Sequence, residues 1–142
     1  MAGYGKRSLA YAMAGNSDNA VVVSGIGGST NYGPASGSFV MAAADVSAGT
    51  RSLVPRAGTV RNLYVRVSVD PGNTKTCVYT VMLNGVATAL TCTITGNGTT
   101  SLTASDTTHS FAVVAWDEIG LRLVLAASST DARHGWAMEV SF

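Results

Sequence analysis

The sequence of 142 residues predicts an all-β fold, a sandwich or a barrel. Apolar and polar residues alternate with a period of two through most of residues 53–142. Turn signals rich in Gly, Pro, Asn and Asp separate these runs at the spacing of short strands. Ala, Gly, Ser, Thr and Val make up well over half the chain, whereas a helical bundle needs Leu, Glu, Lys and Arg. Charged residues supply only 12%, about half the usual share of a soluble domain. A surface so poor in charge points to one that is covered.

Other classes are excluded by the same numbers. Nine Lys and Arg stand against eight Asp and Glu, so the basic excess of a nucleic-acid binder is missing. Apolar content of 46% at a net charge of +1 opposes charge-driven disorder. No apolar run approaches a membrane span. Residues Met1 to Gly15 have Lys6 and Arg7 before an Ala-rich stretch, but that stretch is too short for the apolar core of a signal peptide.

Residues 1–50 read as an extended arm and residues 51–142 as one domain. The arm holds Gly, Ala, Ser and Asn in irregular order, with strand-like pieces at 20–23 and 38–42. Glycines 25, 27, 28, 33 and 37 and Pro34 interrupt the rest. Such a segment cannot bury enough apolar surface to offset its ordering entropy, so neighbours are expected to hold it. Ala20, Val21, Val22 and Val23 suit pairing with the sheet edge of a neighbour.

In the domain, Leu63, Val65, Val67 and Val69 alternate with Asn62, Tyr64, Arg66 and Ser68 as a half-buried strand. Asp70-Pro71-Gly72-Asn73 follows as a turn. Asn84-Gly85 between alternating runs is the strongest short hairpin signal in the chain. A two-residue loop there sets Leu83 opposite Val86, Tyr79 opposite Leu90 and Cys77 opposite Cys92. Packed thiols are the favoured reading of that pair, over a disulfide. Residues 108–115 form the next strand, with His109, Phe111, Val113 and Ala115 on one face. After the turn at Trp116-Asp117-Glu118, Ile119, Leu121, Leu123 and Leu125 alternate with smaller or polar residues. Trp136, Met138, Val140 and Phe142 share a face of the last strand, expected to be central in its sheet.

Chemistry is sparse. His109 and His134 have no partner at metal-ligand spacing, and no Cys-x-x-Cys exists, so neither metal nor cofactor is expected. Asp106, Thr108 and His109 are a triad fragment without a nucleophile motif. Asp70 and Asn73 offer too few oxygens for calcium. Asp117 and Glu118 are adjacent, so they fit a turn rather than an acid/base pair. No catalytic residue is assigned. Arg51, Arg56, Arg61 and Arg66 recur every five residues. They read either as ordinary salt-bridged positions or as anchors for carboxylates on a neighbouring subunit, with Arg51 and Arg56 nearest the arm.

The segment Phe111 to Leu123, with Trp116-Asp117-Glu118-Ile119 at its centre, resembles the strand–Gly-Asp-Glu–strand segment of tumour-necrosis-factor-like and complement-type jelly rolls. Trp116 stands where Gly is common. Ala57 to Val65, the Asn84-Gly85 hairpin and Ser105 to His109 look like small jelly rolls of bacteriophage virions. The likeness covers residues 51–142. It implies a jelly-roll sandwich that forms a homotrimer, with Tyr64, Trp136 and Phe142 at the trimer contact. It further implies a capsid decoration or cement protein on the virion surface, partnered by the major capsid protein. A receptor- or glycan-binding fibre tip, using exposed aromatics such as Tyr64 and Trp116, is the alternative.

Overall fold

The computed structural model describes residues 20–32, 38–41 and 51–142. The expectations for the leader-like stretch 1–15, and for most of the arm, lie outside the described residues. Nine strands and no helix are found among those described. They are β1 (Ala20–Tyr32), β2 (Ser38–Met41), β3 (Ser52–Leu53), β4 (Gly58–Val67), β5 (Thr76–Leu83), β6 (Val86–Thr95), β7 (Thr103–Val113), β8 (Glu118–Leu125) and β9 (Ala132–Ser141).

These strands make two antiparallel sheets, as the all-β expectation requires. One sheet runs β1-β9-β4-β7; the other runs β2-β8-β5-β6, with β3 also pairing on β8. The last strand is central, between β1 and β4. Ala20 to Val23 pair with Ser141 to Met138 of this same chain. The expected partner was a neighbour's sheet edge. The reason for the difference is local: β9 has an unpaired edge on the side away from β4, and β1 supplies it with ladder partners.

The alternating residues of the two sheets meet in one core. Val60, Leu63, Val65 and Val67 of β4 and Trp136, Met138 and Val140 of β9 face inward from the first sheet. Cys77, Tyr79 and Val81 of β5, Leu90, Cys92 and Ile94 of β6, and Ile119 to Leu125 at every second residue of β8 face them. Val69 falls beyond the end of β4 and is exposed. Both cysteines are free and buried, and burial pushes their pKa values up to about 11 for Cys77 and about 12 for Cys92.

Besides a register shift in the β1–β9 ladder between Gly27 and Tyr32, two bulges break the simple alternation of the core strands. The β5–β6 ladder begins with Leu83 opposite Val86 and Met82 opposite Ala87. Beyond Val81 it resumes two residues out of step, with Thr80 opposite Thr91 and Tyr79 opposite Cys92. Cys77 therefore stands opposite Ile94, which corrects the expected Cys77–Cys92 pairing. Thr88 explains the slip: its hydroxyl donates to the Val81 carbonyl at 2.8 Å and accepts the Leu90 N–H at 3.3 Å. A side chain thus takes over ladder bonds that the backbone would have made. The second bulge lies at Asn62, whose φ of 56° is left-handed. It lets Val60 and Leu63, three residues apart, both point into the core.

Candidate functional site

The two ends of the sandwich are built differently, and the contrast locates the site. At one end Asp70 gathers the loops. Its carboxylate accepts the N–H groups of Gly72 (2.8 Å), Asn97 (3.2 Å), Gly98 (3.1 Å) and Ser101 (2.8 Å). Burial pushes the Asp70 pKa up, but these four donors outweigh it and hold it below the usual carboxylate value. The turn itself lies at Gly72–Lys75, where the Lys75 N–H reaches the Gly72 carbonyl, rather than at Asp70–Asn73. Asp70 is thus a loop organiser with its acceptors filled by backbone.

Asp106 has a similar task at the side of the sandwich. It accepts the N–H of Thr91 on β6 (3.0 Å) and those of Thr108 and His109 (3.1 Å each), and so ties the edge of one sheet to the other. Burial raises its pKa, yet these bonds and the His109 ring pull it well below the carboxylate range. His109 Nδ1 lies 2.8 Å from Asp106 Oδ2. The Thr108 hydroxyl contacts Asp106 at 3.0 Å and the same Nδ1 at 3.3 Å. A nucleophile must address the ring nitrogen that the carboxylate does not hold. Thr108 does not, so the three residues form a bulge lock rather than a triad.

His134 falls inside β9 and is fully buried, with Nδ1 2.7 Å from the Tyr79 hydroxyl of the opposite sheet. Burial pulls its pKa down to about 4, which keeps it neutral, and pushes that of Tyr79 up. Among the described residues no group of three or more His, Cys, Asp and Glu side chains is placed to hold a metal.

The opposite end exposes large apolar side chains. Trp116 is 81% exposed, and Leu53, Val114 and Val86 are 61%, 59% and 69% exposed. Leu53, Val54, Pro55 and Trp116 together line a depression of about 340 Å3. Beside it, Leu53, Val54, Pro55, Ile119, Val140 and Phe142 line an apolar cavity of about 260 Å3. These side chains sit on a rigid base. The Trp116 N–H donates to the Val54 carbonyl at 2.9 Å, and the Val54 N–H donates to that of Asp117 at 2.8 Å. Asp117 accepts the Val114 N–H and the Asn84 side-chain amide, each at 2.8 Å. Those two bonds lower its pKa despite some desolvation. The Asn84 side-chain oxygen, Oδ1, in turn accepts the Glu118 N–H at 2.8 Å. One hairpin and one turn are thereby clamped together.

Trp116 itself has a φ of 75°, the left-handed conformation that favours glycine. The large side chain is held where the backbone disfavours it, and it points to solvent. Such strain persists only where surrounding bonds fix it.

The arginines are mostly engaged within the chain. Arg51 donates to Glu118 at 2.9 Å, and the guanidinium of Arg56 lies 4.8 Å above the Phe142 ring. Arg61 bonds Glu139 at 2.6 Å, and Asn62 bonds the other oxygen at 2.8 Å; both lower the Glu139 pKa. Arg51 and Arg56 were expected to reach a neighbour, and here each has an intramolecular partner. Of the residues expected at a trimer contact, Tyr64 is 54% exposed on the outer face of β4. Phe142 packs partly buried at the apolar end, and Trp136 packs in the core at 6% exposure. The sequence missed Leu53 and Val114, whose exposure follows from where β3 and the turn stop. The chain matches no protein-family model and no curated protein.

Proposed function

We propose that the chain is a non-enzymatic structural protein of a bacteriophage virion, a jelly roll that decorates and stabilises the capsid as a trimer. The observation that carries the proposal is the exposed apolar end: Leu53, Val114 and Trp116 on a base of hydrogen bonds that holds Trp116 at a left-handed φ. Exposed apolar surface on a rigid frame suits a protein contact, because little ordering entropy is lost when it is covered. Burial of that surface between subunits opposes shell disassembly by mass action. The jelly-roll reading is supported by strand order. First and last strands adjoin in one sheet, while β2 and β8 adjoin in the other. The trimer and the capsid partner follow from the resemblance of residues 51–142 to small virion jelly rolls.

A second reading, a receptor-binding fibre tip, is favoured by Trp116 alone, since an exposed indole also suits a host receptor. Immunogold labelling of virions from the cell that carries the gene separates the two. Regular label over the head, with a trimeric mass for the purified chain by light scattering, is the expected result. Label confined to the tail tip establishes the second reading. Unlabelled virions overturn both.

A further inference from the structure

The outer face of the β9-β4-β7 sheet carries a depression of about 530 Å3 that the apolar end does not use. Its volume lies within the range of small-ligand sites. Strand register sets out its contents in two rows: Ser105, Tyr64 and Ala137 across one, Thr103, Arg66 and Gly135 across the next. Tyr64 and Arg66 therefore rise from the middle strand with only small or hydroxyl-bearing residues on either side. Tyr64 is 54% exposed.

Two features mark this face as more than bare surface. Arg61, outward on the same strand, is neutralised by Glu139 opposite it. Arg66 has Gly135 and Thr103 opposite instead, and it makes no ion pair with a described residue. Its exposed charge faces solvent and is open to a group from outside. Glycine in a strand interior costs stability and marks a place where something approaches the backbone closely. At Gly135 an added Cβ would meet, among the described residues, only the Arg66 carbonyl oxygen, and that at 4.0 Å. Packing against those residues does not demand the glycine, and its lack of a side chain leaves the floor of the depression open.

We propose that this face binds an acidic saccharide. The Tyr64 ring is the platform for the apolar face of a sugar. The Arg66 guanidinium is the fork for its carboxylate, and the hydroxyls of Ser105 and Thr103 serve the ring hydroxyls. A free cation beside an aromatic ring selects an anionic sugar over a neutral one. The inference uses none of the residues of the apolar end, and it requires Tyr64 to stay outside the trimer contact that the resemblance implies.

Methyl glucuronide and methyl glucoside differ at one position, a carboxylate against a hydroxymethyl group, and serve as probes. Both are titrated into the isotope-labelled full chain while amide shifts are followed. Glucuronide is expected to shift the amides of residues 64–66, 103–105 and 135–137 with a Kd of roughly millimolar size, and glucoside to bind about tenfold more weakly. Arg66→Ala should erase the difference between the two sugars, whereas Tyr64→Ala should weaken both alike by about fivefold. Gly135→Leu should block both sugars, and the exposed Arg66→Ala change keeps the test decisive if that variant fails to fold. Three results would overturn the proposal. One is an absence of shifts at about 20 mM glucuronide, and another is equal binding of the two sugars by the unaltered chain. The third is a face whose amides shift with protein concentration alone, as a contact between copies would cause.

Discussion

The two ends of the sandwich are tied with equal care and finished in opposite ways. At one, Asp70 collects four backbone N–H groups and the loops close over a polar centre. At the other, Asn84 and Asp117 clamp a hairpin to a turn, and the clamp holds Trp116, Val114 and Leu53 out in solvent. Exposed apolar residues on a loose loop would be unremarkable, since scattered ones are normal. Held on a frame, and with Trp116 in a conformation that favours glycine, they are a built surface. One end closes over a polar centre, and the other holds large apolar side chains out in solvent.

The core between the ends should dominate any acid response. His134 has a folded pKa of about 4, below its unfolded value of 6.5, so the unfolded chain binds the extra proton between those values. Stability is then complete above pH 6.5, falls by about 3 kcal/mol as pH drops to about 4, and gains nothing from alkali in this term. The depressed carboxyls of Asp70 and Asp106 add their loss only below the usual carboxylate value, as pH falls through their folded pKa. Urea unfolding at pH 7.5, 5.5 and 4.5 measures the slope, and a flat profile there would place His134 outside the core.

Breaking the sealed end comes next in size. A Cβ at Gly96 would collide with the Gly72 carbonyl oxygen and lie 2.7 Å from Asp70 Oδ1. Gly96→Ala should cost about 2–3 kcal/mol in urea unfolding, with no effect on contact made by the other end. Asn84→Ala removes both arms of the clamp at the exposed end. It should lower stability by about 1 kcal/mol, yet weaken assembly with heads far more than Gly96→Ala does in co-sedimentation. Trp116→Gly has the smallest effect on folding: relief of the left-handed strain offsets the flexibility of glycine, so Tm stays within a few degrees. Head binding should nevertheless be lost in the same sedimentation assay.

Much of the fold was legible because burial imposes a period of two. The strands around Leu63–Val67, Ile119–Leu125 and Trp136–Val140 follow directly from it, as does the hairpin from Asn84-Gly85. Register was not legible, because Thr88 replaces ladder bonds with its hydroxyl and so shifts Cys92 past Cys77. Alternation alone carries no sign of that. The work of Asp70 and Asp106 was equally hidden: their donors are up to 31 and 15 residues away, and a lone Asp in a turn looks like any other. At the candidate site the sequence marked Trp116 as standing where Gly is common in the segments it resembles. It gave no sign, however, that the backbone would keep the left-handed φ of 75° that glycine favours. The exposure of Leu53 depends on where β3 ends.

The chain has two tryptophans, and the fold separates them sharply, with Trp136 at 6% exposure and Trp116 at 81%. In a Trp136→Phe variant, fluorescence therefore reports Trp116 alone. When this variant is mixed with phage heads, emission should shift to the blue in step with the amount that co-sediments, as solvent leaves the indole. Full co-sedimentation with an unshifted, water-exposed emission would contradict the claim that the apolar end makes the contact.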